Sequence, residues 1–191
     1  MKRELKNDNA GMTLAELIVT FALMGIFLAA VATVISSSVV VQSELTGTMY
    51  AESVGETLLD KITGEIAAAK VSEGKAIVVG KVLKGENDLG EGVSFYDRNG
   101  QKSCFLVEDG LLVMKADSDW KMDAGAYMGY RITDFRVNRL NDKNVFEVII
   151  KIKNLKTGFE YTASRAVQSY NFRTQQDYDK IVEEDIVIAS E

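Results

Sequence analysis

Two periodicities divide the chain, a helical one in the first third and an alternating one after it. Residues 17–43 carry no charge and are apolar through Ile35. The 19 residues 17–35 make about 28 Å of helix, close to the roughly 30 Å hydrocarbon core of a bilayer. Ser36, Ser37 and Ser38 mark the outer edge of that span. Further on, Ala51, Gly55, Leu58, Leu59, Ile62, Ile66 and Ala69 fall on one helical face, with Ser53, Glu56, Asp60 and Gly64 opposite. This is the stripe of an amphipathic helix that needs a partner surface. A continuous helix from Thr13 to about Val71 measures about 85–90 Å. The chain has no proline to kink it, so Gly25, Gly47, Gly55 and Gly64 are the candidates for bending.

After Glu73-Gly74 the pattern is that of strands. Residues 77–83 are short and β-branched, residues 93–96 and 103–107 flank an Asp97-Arg98-Asn99-Gly100 turn, and Asp109-Gly110 leads into residues 111–116. Phe146, Val148, Ile150 and Ile152 alternate with Glu147, Ile149, Lys151 and Lys153. Past the turn at 154–158, Phe159, Tyr161 and Ala163 alternate with Glu160, Thr162 and Ser164. Residues 135–140 supply a strand before that hairpin. The expected fold is α+β, a long N-terminal helix whose outer half is covered by one antiparallel β-sheet.

The junction ahead of the apolar run carries the chemistry. A basic cluster, Lys2, Arg3 and Lys6, is followed by Gly11-Met12-Thr13-Leu14-Ala15-Glu16. A secretory signal is cut after its apolar core, whereas here the glycine precedes it, so cutting there leaves the hydrophobic segment on the mature chain. Glu16 is the one charge in that segment, and an acid at the centre of a spanning helix costs about 2.5–3.5 kcal/mol. Something must offset it, unless Glu16 sits at the border and snorkels to water.

This arrangement resembles the N-terminal processing motif of type IV prepilins and of the pseudopilins of type II secretion systems. The resemblance is specific over residues 11 to about 35 and agrees elsewhere only in the order of elements. It implies that prepilin peptidase cleaves between Gly11 and Met12, that Met12 is then N-methylated, and that Glu16 becomes the fifth mature residue. The freed Met12 amine would lie roughly 6 Å from Glu16 along a helix. The same amine on a neighbouring, axially shifted subunit could pair with Glu16 and set the register of assembly. The resemblance further implies a pilin-like fold. Length, the lack of a disulfide pair and the varied sheet region look more like a minor pilin or minor pseudopilin than a major subunit. Because Glu16 is retained, the subunit should be able to join beneath another.

On this reading the chain divides into a leader peptide (1–11), the transmembrane half of the helix (12–41), its amphipathic outer half (42–73), a β-rich extracytoplasmic domain (74–173) and an acidic C-terminal tail (174–191). The leader holds three basic residues, while the first charges after the span are Glu44 and Glu52. The leader should therefore be cytoplasmic and the large domain outside the cell membrane.

Composition narrows the function. The 191 residues carry a formal charge of −6 and no basic patch, so no direct nucleic-acid site is evident. After Arg173 six acids face only Lys180, which reads as a solvated tail or a late strand, or else a docking peptide. The absence of histidine removes His-based metal sites and Ser-His or Cys-His nucleophile pairs, so no enzyme and no cofactor is expected. The single cysteine, Cys104, rules out an internal disulfide and reads as a small buried hydrophobe. Asp117, Asp119 and Asp123 surround the only tryptophan, Trp120, and are a weak calcium candidate. The EF-hand glycine and terminal glutamate are missing, so an ordinary acidic turn is favoured. Arg131, Arg136 and Arg139 read as a solvated strand face.

The function expected from all this is a structural subunit of a type IV pilus-like or type II secretion filament, serving secretion, adhesion, motility or DNA uptake. Its partners would be prepilin peptidase, other pilin or pseudopilin subunits and a membrane assembly platform. The alternative is a monomeric single-pass membrane protein whose outer domain binds a partner.

Overall fold

The computed structural model describes residues 13–71, 76–84, 87–116, 119–140 and 144–188. Helix α1 spans Leu14–Ala68 without a break, so none of its four glycines interrupts it. The chain divides into two compact units between Thr46 and Gly47. In the first unit every described residue is exposed except Val31, which is half-buried. Among the described residues nothing buries these apolar side chains, and the helix is long and apolar enough to cross a membrane.

The second unit is built on the outer half of α1. Strands β1 (Ile77–Lys84), β2 (Asn87–Tyr96), β3 (Lys102–Glu108), β4 (Leu111–Lys115) and β5 (Trp120–Lys121) form consecutive antiparallel neighbours. A short 3-10 turn, Ala124–Tyr127, leads to a second sheet of β6 (Tyr130–Arg139), β7 (Val145–Asn154) and β8 (Glu160–Gln168), also antiparallel. The single sheet expected from the alternation is therefore two. Strand β6 begins five residues before the expected 135, because a register shift between Ile132 and Asp134 breaks the alternation and returns Phe135 to the buried side.

Of the two alternatives for the acidic C-terminal segment, solvated tail or late strand, residues 181–188 take the strand. After the one-turn helix α2 (Gln175–Tyr178), β9 (Ile181–Glu183) and β10 (Ile186–Ile188) pair parallel to β1. Ile181 faces Ile77 and Ile186 faces Val82, so the two pieces keep one register and act as a single edge strand interrupted at Glu184 and Asp185. Gly80 makes that interruption possible, since a Cβ there would lie 2.2 Å from the Glu184 carbonyl oxygen.

The core lies between α1 and the sheets. The predicted stripe is buried: Ala51, Leu58, Leu59, Ile62, Ile66 and Ala69 are all fully covered, with Val54 added. They pack with Phe95, Phe105, Tyr127, Tyr130, Phe135 and Phe146. Gly55 lets β8 come close, because a Cβ there would stand 3.1 Å from the Tyr161 ring and 3.2 Å from Ala163. A second, smaller cluster of Val78, Val82, Cys104, Leu106 and Ile186 is separate from this core. Cys104 is buried as expected, and burial pushes its thiol up to about 12.

Candidate processing and assembly site

Thr13 and Glu16 close the first turn of α1 on each other. The Glu16 backbone N–H donates to Thr13 Oγ1 at 3.3 Å, while Glu16 Oε2 accepts from the Thr13 N–H at 2.8 Å and from its hydroxyl at 3.0 Å. Thr-Leu-Ala-Glu is thus a capping box, which satisfies helix-end donors that have no partner within the helix. The acid sits where the helix dipole favours negative charge. Its side chain is exposed, as are Leu14, Leu17 and Ile18 beside it. Gly11 and Met12, the residues expected to flank the cut, lie outside the described residues. The structure therefore places Glu16 at the very start of the helix, with its carboxylate held by its own chain.

The two described members of the calcium candidate, Asp119 and Asp123, each have partners of their own. Asp119 Oδ2 accepts from Lys115 Nζ at 2.7 Å, and this bond holds the Asp119 carboxyl below its ordinary range. Asp123 Oδ1 caps the 3-10 turn through the Gly125 N–H at 2.7 Å. Asp117 lies outside the described residues. Among the described residues no group of three acidic or thiol side chains is placed to hold a metal ion. Trp120 packs half-buried against the core, with Lys61 Nζ 5.2 Å from its ring.

The arginines do more than solvate a face. Arg136 pairs with Asp134 at 2.9 Å, but Arg139 donates to the carbonyls of Tyr178 (3.1 Å) and Ile181 (3.3 Å), tying β6 to the C-terminal segment. Arg165 on β8 bridges Glu56 and Asp60 on α1. Sequence reasoning left Arg165 unremarked. The available signal was the i, i+4 spacing of the two acids, which leaves both on one side of the helix awaiting a cation.

Residues 6–32 match the family described as the prokaryotic N-terminal methylation motif. No curated protein matches the chain, and no solved structure does. The motif supports a likeness to the type IV pilin-like family, and an apolar N-terminal helix with antiparallel-rich sheets gives the chain a pilin-like α+β architecture. The matched residues are those of a prepilin-type segment, which implies processing by a peptidase, assembly with other pilin-type subunits and anchoring in a membrane through α1. The family is structural rather than enzymatic in character.

Proposed function

We propose that the chain is a minor pilin or pseudopilin, cut between Gly11 and Met12, methylated on Met12, stored in the cell membrane with its large unit outside, and added by an assembly platform to a helical filament. Secretion, adhesion, motility and DNA uptake are the processes such a filament serves. The observation that carries the reading is the coincidence of the methylation motif at 6–32 with one carboxylate, Glu16, at the head of a helical segment that is otherwise uncharged through Ser43 and exposed at every position but Val31. Burial of such helices against one another supplies the drive to polymerise, and a carboxylate among them selects one axial offset.

The test is the mass of the mature N-terminus. A chain beginning at methylated Met12 supports the reading, and an intact Met1 overturns it. Gly11→Val should leave the leader attached, because a peptidase pocket shaped for glycine excludes a branched side chain.

One observation favours a second reading, a monomeric single-pass protein with an outer binding domain. Thr13 already supplies the Glu16 carboxylate with two donors, so the acid does not require a neighbour for its hydrogen bonds.

A further inference from the structure

Strands β1 to β4 carry a row of side chains on the face turned away from the main core. Val78, Ser94, Cys104 and Lys115 are successive cross-strand partners, so all four stand on one side of the sheet. Phe95 and Phe105, one position along, point to the opposite side and join the main core. Val78 and Cys104 belong instead to the smaller cluster, which Ile186 of β10 completes.

This row and β10 share the lining of two cavities of about 330 and 350 Å³, at the lower end of the range for small-ligand pockets. Ser94, Lys102, Ile186 and Val187 line both. The two differ in charge. Glu184 and Asp185 line the first, whereas no carboxylate of a described residue lines the second, which adds Cys104, Lys115 and Ile188.

Of the two lysines at the second cavity, Lys115 is already answered, its Nζ 2.7 Å from Asp119 Oδ2 and 3.5 Å from Glu108 Oε1. Lys102 is exposed and has no ion-pair partner among the described residues. Its charge reaches the cavity floor, where it works against the burial that pushes the Cys104 thiol up. Ser94 is only 2% exposed, and its hydroxyl has no hydrogen-bond partner among the described residues. A buried hydroxyl left in that state costs free energy that a ligand oxygen would recover.

The second cavity thus offers one unanswered positive charge, one hydroxyl and a wall of Ile186, Val187 and Ile188. That set suits a monoanion with an apolar body. A dianion such as phosphate would find one free cation for its two charges and would leave the apolar wall uncovered. Both lysines repel a cation.

We propose that the second cavity binds a small amphipathic anion, a carboxylate on a short aliphatic chain, with its head at Lys102 and Ser94 and its tail along Ile186 and Ile188. The site goes beyond a filament role, and it serves an assembled subunit and a membrane monomer alike, because every residue in it belongs to the second unit.

The test uses the full chain in lipid nanodiscs, with isotope-labelled isoleucine δ1 methyls read by NMR and hexanoate as the probe. The Ile186 and Ile188 signals should shift to a plateau with hexanoate, while those of Ile62 and Ile150 in the main core stay in place. Hexylammonium, the same chain with the opposite charge, should shift none of them. Lys102→Ala should raise the hexanoate concentration at half-shift at least several-fold, with unmoved Ile62 and Ile150 signals showing that the variant is folded. No shift at Ile186 and Ile188, an equal response to hexylammonium, or an unchanged midpoint in Lys102→Ala overturns the site. So does a shift spread evenly over all four isoleucines, which would mean that hexanoate acts through the bilayer rather than the cavity.

Discussion

Glu16 Oε2 accepts two hydrogen bonds from Thr13, so the one carboxylate of the apolar segment is satisfied within a single turn of its own helix. A partner in a filament would have to share or replace those bonds. Pairing with a neighbour's Met12 amine adds charge to an acceptor that still has free lone pairs, so the capping box and an intersubunit bridge are compatible. The box also keeps the carboxylate aimed at the end of the helix, where an axially shifted amine would arrive.

Replacing the acid separates anchoring from assembly. Glu16→Ala should accumulate as processed membrane protein, since the change lies five positions beyond Gly11 and removes a group that is costly in lipid. It should crosslink poorly to its neighbours and enter sheared filaments or secretion complexes much less, with Glu16→Asp intermediate. Wild-type crosslinking and incorporation by Glu16→Ala would make the single-pass monomer the better reading.

The outer half of α1 is tested by two neighbouring positions. Ile62 is fully buried, and truncating it to alanine should cost about 2–5 kcal/mol, read as a clear fall in melting temperature. Asp60 is exposed and engaged only at the surface with Arg165, and exposed pairs contribute about 0–1 kcal/mol. Asp60→Ala should therefore move the melting temperature little. Equal shifts would mean that the stripe is not packed on the sheets.

Gly92 and Gly64 should respond to alanine with opposite signs. A Cβ at Gly92 would lie 2.6 Å from the Phe105 carbonyl oxygen and 2.3 Å from Val82 Cγ2. Backbone cannot yield cheaply there, and overpacking of this kind costs about 1–3 kcal/mol. Gly64 meets nothing within 4 Å on an exposed part of α1, so Gly64→Ala should stabilise by about 0.8–1.0 kcal/mol through helix propensity. Denaturant midpoints for the two variants should move apart, and movement in the same direction would contradict the packing at Gly92.

Acid should loosen the C-terminal segment before the core. The Thr174 and Arg173 N–H groups and the Thr174 hydroxyl donate to Asp177, holding its carboxyl below the usual aspartate range. A group with a depressed folded pKa contributes stability above its unfolded value and loses it as pH falls through the folded value. Amide exchange across α2 and β9 should quicken over that acidic interval, and Asp177→Asn should remove the pH dependence. Unchanged exchange in acid would show that the capping box does not hold this segment.

The amino-acid sequence by itself determined whatever depends on near neighbours. The apolar run, the Thr13-to-Glu16 cap and the buried stripe from Ala51 to Ala69 are set by spacings of a few residues, and the methylation motif is a contiguous string. The β7–β8 hairpin was legible for the same reason, since its alternation and its turn adjoin. Only the tertiary structure decided which distant strands pair. Nothing local in 181–188 signals a parallel partner about a hundred residues earlier, and Gly80 acquires its role only once Glu184 lies against it. The bridge from Arg165 to Glu56 and Asp60 and the bond from Tyr130 to Gly47 arise in the same way. Each joins groups more than 80 residues apart, and their partners are fixed by the packing of whole elements rather than by any periodicity along the chain.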